Sequence, residues 1–109
     1  MAYAGVLERY RSYLEIPDHT QTITLLEGDT PLIPVPNLAE ELGGGFELYI
    51  KYEGLNPTGS FKDRGMTAGV SWARHVGARQ VACASTGDTS AAMACYAAAT
   101  ELPAVVLLP

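Results

Sequence analysis

Glu47-Leu48-Tyr49-Ile50-Lys51-Tyr52-Glu53-Gly54-Leu55-Asn56-Pro57-Thr58-Gly59-Ser60-Phe61-Lys62-Asp63-Arg64-Gly65 decides the fold class, because it passes from strand through loop into helix. Residues 47–53 are rich in β-formers, with polar residues on alternate positions, which predicts a strand. Asn56-Pro57-Thr58-Gly59 is a turn-forming sequence: proline stiffens the approach and glycine admits a backbone turn closed to other residues. From about Asp63 the apolar positions Met66, Val70, Ala73 and Val76 keep helical spacing, with Arg64, Thr67, Ser71 and Arg74 opposite. Gly77 is the expected C-terminal stop.

The same alternation continues downstream. Val81-Ala82-Cys83-Ala84 reads as a short buried strand, residues 90–100 as a helix apolar almost all round and hence central, and residues 104–108 as another strand. Strand, helix, strand, helix, strand with short links predicts an α/β fold built on a parallel sheet. Upstream, residues 4–14 read as a helix ending before Ile16-Pro17. Residues 18–36 carry several prolines and read as extended and irregular. Residues 37–42 read as a helix of one or two turns, capped by Asn37 and stopped by Gly43. The organisation expected is an N-terminal helix and extended segment over 1–36, and the start of an α/β region over 37–109. The last strand has no helix after it to close its layer, so the 109 residues are expected to be the N-terminal portion of something larger.

Composition excludes several classes of function. A hydrophobic content of 48% fits a globular chain. The formal charge of −5, with no Lys/Arg cluster, argues against a nucleic-acid partner and against electrostatic membrane contact. No signal peptide is visible, and the apolar runs at 91–99 and 104–108 are too short to span a bilayer. Cys83 and Cys95 match no metal or redox spacing, and His19 and His75 have no ligand-spaced neighbours, so no metal is expected. These features together predict a cytoplasmic protein.

Strand-to-helix loops at the carboxyl ends of parallel strands are where α/β proteins place ligands. Lys62 stands in one, beside the predicted helix start. An amine attacks a carbonyl only when deprotonated, and a helix N-terminus disfavours an ammonium. The competing reading is structural: Asp63 caps the helix and Lys62 is a solvated lysine beside it. A second loop, Ser85-Thr86-Gly87-Asp88-Thr89, joins a strand to an apolar helix and offers free backbone N–H groups and hydroxyls to an anion. Its structural alternative is N-capping by Asp88 or Thr89, a bond of roughly 1 kcal/mol.

Asn56-Pro57-Thr58-Gly59-Ser60-Phe61-Lys62-Asp63-Arg64-Gly65 resembles the cofactor-lysine motif of the threonine synthase branch of the fold-type-II pyridoxal-phosphate enzymes, which share a tryptophan synthase beta-like architecture. Leu26-Glu27-Gly28-Asp29-Thr30-Pro31-Leu32 resembles the N-terminal element of that family, and Ala84-Ser85-Thr86-Gly87-Asp88-Thr89-Ser90-Ala91 its substrate loop. The three occur in the expected order.

The resemblance implies pyridoxal 5'-phosphate (PLP) as cofactor, held by Lys62, which is also the proton shuttle. Phe61 shields the site and Asp88 stands beside the cofactor where the wider family commonly carries asparagine. Ser85, Thr86 and Thr89 grip the substrate α-carboxylate. The implied reaction converts O-phosphohomoserine and water to threonine and phosphate, in a protein that is a homodimer at full length. Alternatives left open are a threonine or serine dehydratase, a cysteine synthase, or a non-catalytic truncated homologue. Arg64 is read either as an anion partner or as one half of a surface ion pair. The family's glycine-rich phosphate loop lies downstream of the lysine, beyond Pro109, so the isolated chain is expected to bind PLP poorly and to show no turnover.

Overall fold

The computed structural model describes residues 2–109. In chain order the elements are α1 (Val6–Arg9), a 3₁₀ turn (Arg11–Tyr13), β1 (Leu32–Pro34), α2 (Pro36–Glu41), β2 (Tyr49–Lys51), a second 3₁₀ turn (Glu53–Leu55), α3 (Lys62–His75), β3 (Val81–Ala84), α4 (Asp88–Ala98) and β4 (Ala104–Leu107). β3 and β4 pair in parallel, Val81 opposite Ala104 through Ala84 opposite Leu107, and α4 is the crossover between them. α3 and α4 pack on one another, with Val70, Ala92, Met93, Tyr96 and Ala97 buried.

The strand expected at 47–53 is shorter and pairs elsewhere. β2 joins not the parallel pair but β1, antiparallel, with Leu32 opposite Lys51 and Pro34 opposite Tyr49. Prolines hide this partner in the sequence. Pro34 lacks a donor and suits an edge strand, so the segment around it reads as irregular. The helix expected at 4–14 divides into the short α1 and the 3₁₀ turn.

Both glycine stops are as expected and have a common geometry. Gly77 (φ 74°) donates its N–H to Arg74 O, and Ala78 donates to Ala73 O, closing α3 in a Schellman motif. Gly43 (φ 110°) and Gly44 close α2 in the same way, onto Glu40 O and Ala39 O. The N-terminus of α2 differs from expectation. Pro36 occupies the first turn, Val35 is the cap residue, and Asn37 lies inside the helix without capping it. Proline's fixed φ suits that position and its missing N–H costs nothing there.

α3 is rotated relative to its apolar pattern. Its buried residues are Asp63, Thr67, Val70 and Ser71, whereas Val76 is exposed. The hydroxyls are buried because the extended segment before β1 lies on them. Ile23 donates its N–H to Ser71 Oγ at 2.8 Å, and its carbonyl accepts from Thr67 Oγ1. Both backbone groups of an irregular segment are thereby satisfied without a sheet. α4 is only half covered: Ser90, Ala92, Met93, Tyr96 and Ala97 are buried, while Ala91, Ala94, Cys95 and Ala98 face outward. No helix among the described residues is long and apolar enough to cross a membrane.

Candidate functional site

Lys62 is the first residue of α3 and not the last of the loop, with Phe61 at the cap position. Ser60 prepares this start. Its Oγ accepts from the Lys62 N–H at 3.2 Å, and its carbonyl accepts from the Asp63 N–H. Gly59 takes φ 83°, and a Cβ there would meet open space, so it is backbone conformation and not crowding that calls for glycine. The Lys62 Nζ lies 4.7 Å from the centroid of the Phe61 ring and has no hydrogen-bond or ion-pair partner among the described residues. Phe61 is itself exposed, so it covers the lysine stem from one side only.

The remaining polar groups of the run are committed. Asp63 is fully buried, and its two oxygens accept from the Thr58 N–H and the Thr58 hydroxyl, both at 2.8 Å. It therefore folds the loop back onto the helix instead of capping its own N-terminus. Asn56, also buried, donates to the Glu53 carbonyl at 2.9 Å and to Glu53 Oε2 at 2.8 Å, and accepts from the Gly28 N–H at 2.9 Å. Arg64 closes on the same carboxylate. Its Nε and Nη2 reach the two Glu53 oxygens at 2.8 Å each, and Thr30 Oγ1 donates to Glu53 Oε1 at 2.7 Å. Of the two roles open to Arg64, the ion pair is the one formed, with Glu53 as the acid. The Arg64 guanidinium, with help from Thr30 and Asn56, holds the Glu53 carboxyl at about 2, well below the usual range.

The second loop is arranged differently from its capping alternatives. Asp88 is the first residue of α4 and exposed, and among the described residues neither its side chain nor that of Thr89 makes a hydrogen bond. Ser85 takes the role instead: its Oγ accepts from the Gly87 and Ser90 N–H groups, each at 3.2 Å. Two accepted bonds leave the Ser85 hydroxyl hydrogen free to donate. The Thr86 and Thr89 hydroxyls have no hydrogen-bond partner among the described residues. Ser85 and Thr86 open onto a groove bordered by Ala84, Leu107 and Leu108, at the carboxyl ends of β3 and β4. Lys62 makes no hydrogen bond to any residue of this loop.

This arrangement presents a free amine at one helix start and donor groups at another, which suits a carbonyl cofactor and an anionic substrate. Residues 23–109 match the family described as Pyridoxal-phosphate dependent enzyme. The chain belongs to that family. The PLP-dependent family is of fold type II, and the parallel β3–β4 pair crossed by α4 is its α/β signature here. A threonine synthase of Synechocystis sp. is 54% identical over 107 residues, covering 98% of this chain and 28% of the relative. A threonine synthase of Bacillus sp. is 49% identical over 107 residues, and one of Methanocaldococcus jannaschii 54% over 101 residues. The chain spans 25–30% of the length of these three relatives.

Within this PLP-dependent domain, reading by sequence missed Glu27 and Tyr96. Both are fully buried, and the Tyr96 hydroxyl donates to Glu27 Oε2 at 2.8 Å. Glu27 Oε1 also accepts from the Val6 N–H, and Oε2 from the Leu25 N–H, at 3.0 Å each. Burial and the Glu27 hydrogen bond push the Tyr96 hydroxyl far above the ordinary phenol range, so it remains a donor. The available signals were a tyrosine as the only large polar residue of an apolar helix, and a glutamate inside an element that already resembled the family.

Proposed function

We propose that this chain forms part of a threonine synthase, which converts O-phosphohomoserine and water to threonine and phosphate with PLP as cofactor. The observation that carries the reading is the Lys62 amine. It stands without a hydrogen-bond partner among the described residues, in a run whose Asn56, Thr58, Asp63 and Arg64 are all engaged in holding the loop. A lysine kept free by neighbours that hold everything else fits a group that must bond an aldehyde. The three relatives at about half identity are called threonine synthases, which favours this reaction over that of a dehydratase or cysteine synthase.

When bound, PLP supplies the electron sink that lets protons leave carbon. Lys62 Nζ holds the cofactor and carries protons to and from the substrate carbons. Phe61 covers the lysine on one side. The Ser85, Thr86 and Thr89 hydroxyls, with the first N–H groups of α4, bind the substrate carboxylate. Asp88, at the head of the same helix, contacts the cofactor. The working protein is a cytoplasmic homodimer with the length of its relatives, in which residues 37–109 begin the cofactor-binding region.

An exchange of segments tests the reading. Residues 1–109 replace the matching segment of the Synechocystis relative, and threonine and phosphate are assayed with O-phosphohomoserine. Both products are expected in equal amounts, and Lys62→Ala is expected to abolish them. Release of a keto acid from threonine, with no phosphate chemistry, would replace this reading with a dehydratase. The 109-residue chain by itself is expected to give no turnover.

A further inference from the structure

Two loops must be held in register for the proposed reaction, and one buried relay joins them. Tyr96 lies in the third turn of α4, roughly 12 Å along the axis from Asp88 at a rise of about 1.5 Å per residue. Fixing Tyr96 fixes the rotation and depth of the helix whose head carries the 85–89 loop. Its anchor is not on a neighbouring helix but on Glu27, in the turn formed by residues 24–28. That turn is held by the same carboxylate: Thr24 Oγ1 donates to it, as do the Leu25 and Val6 N–H groups.

One residue on, Gly28 donates its N–H to Asn56 Oδ1, and Asn56 opens the loop that ends at Lys62. Gly28 is fitted to this position. It has φ +87°, and a Cβ would come within 2.4 Å of the Tyr3 hydroxyl and 2.6 Å of a Val6 methyl. The relay therefore has no room for a side chain at Gly28.

Resting on the reading above, we propose that Tyr96 and Glu27 are positioning residues: through Gly28 and Asn56 they hold the carboxylate-binding 85–89 loop in register with Lys62. Neither touches substrate or cofactor. A buried, fully hydrogen-bonded carboxylate with no ion-pair partner among the described residues is a costly way to fill a core. Its return here is directional: it joins α4 to the lysine loop with fixed bond lengths, which apolar packing does not do.

The test uses the exchanged enzyme described above, with Tyr96→Phe, which removes one oxygen and keeps the ring. Thr67→Val is the control. It removes a buried hydroxyl bond to Ile23 O that lies outside the relay. Both variants are expected to melt at lower temperature. Only Tyr96→Phe is expected to lower kcat/KM, by about tenfold and mainly through KM, since small misplacements of binding groups have effects of that order. The absorbance of the lysine-bound cofactor should stay in place. Amide exchange at Ser90 and Thr58 should speed up in Tyr96→Phe and not in Thr67→Val.

Tyr96→Phe with kcat/KM within twofold of the parent and unchanged exchange at both amides overturns the proposal and leaves the function standing. A parent enzyme inactive on O-phosphohomoserine instead defeats the functional reading. The exchange data then decide the relay alone: faster exchange at both loops supports it, and unchanged exchange overturns it. Glu27→Gln gives a second variant, expected to act in the same direction and more severely.

Discussion

Asp63 and Thr58 form a closed pair, with carboxylate oxygens Oδ2 and Oδ1 each 2.8 Å from the Thr58 N–H and hydroxyl. The pair sets the chain direction between Pro57 and α3, and Lys62 projects from the turn so made. Asp63→Ala leaves the Thr58 N–H and hydroxyl without partners. Each of the two charge-assisted bonds is worth about 1.5–3 kcal/mol, so a loss of about 3–6 kcal/mol is expected by denaturant unfolding of the exchanged enzyme. A midpoint within experimental scatter of the parent would mean that the loop is set elsewhere. Cofactor affinity should fall along with stability, because the same turn presents the amine.

Glu53 and Arg64 make stability depend on pH. The Glu53 carboxyl is held at about 2 in the fold against an ordinary 4.5, so the unfolded chain takes up its proton first as pH falls. The stabilisation is complete above about 4.5 and is lost progressively down to about 2. Unfolding midpoints measured from pH 6 to pH 2 should fall through this window. Glu53→Gln should flatten that part of the profile while lowering stability at pH 6. An unchanged acid limb in Glu53→Gln would assign the pH response to other carboxylates.

Two glycines separate conformational strain from crowding. Gly77 has φ +74° and open space around a virtual Cβ, so Gly77→Ala should cost only the left-handed penalty, about 1 kcal/mol. Gly28 has φ +87° and would place a Cβ within 2.4 Å of Tyr3 Oη. Gly28→Ala should therefore cost the same strain plus repacking, about 3 kcal/mol in all. Thermal unfolding of the two variants is the comparison, and equal costs would mean that Tyr3 and Val6 yield freely.

What was legible in the sequence was local. Val81–Ala84, the stops at Gly43 and Gly77, and the strand–loop–helix around Lys62 all depend on neighbours within a few residues. Most of what was illegible depended on partners far along the chain. β2 paired with a proline-bearing segment whose pattern gave no strand signal. The burial of Glu27 and Asn56 left no mark in the sequence, because it depends on Tyr96 and Gly28, donors from other segments. Asp88 and Thr89 looked like helix caps by type and position, yet Ser85 reached the same N–H groups from the far side of the turn. The hydroxyls of α3 looked outward-facing until Ile23 supplied their partners.

Lys62 gives the prediction that bears most directly on function. Its amine is free of partners among the described residues, whereas the other lysine, Lys51, donates to the Thr30 carbonyl. Reduction of the PLP-loaded exchanged enzyme with borohydride fixes the cofactor on whichever lysine carries it, and peptide mass analysis locates it. The label is expected on the peptide containing Lys62 and not on that containing Lys51. Lys62→Ala should abolish both the label and turnover. Lys62→Arg should abolish them as well, because a guanidinium keeps its charge and cannot serve as a nucleophile at neutral pH. Since Lys62 closes no hydrogen bond or ion pair through its side chain among the described residues, both variants should unfold within about 0.5 kcal/mol of the parent in the absence of PLP. A large loss of stability would reassign Lys62 to the scaffold, and a label on Lys51 would move the cofactor site.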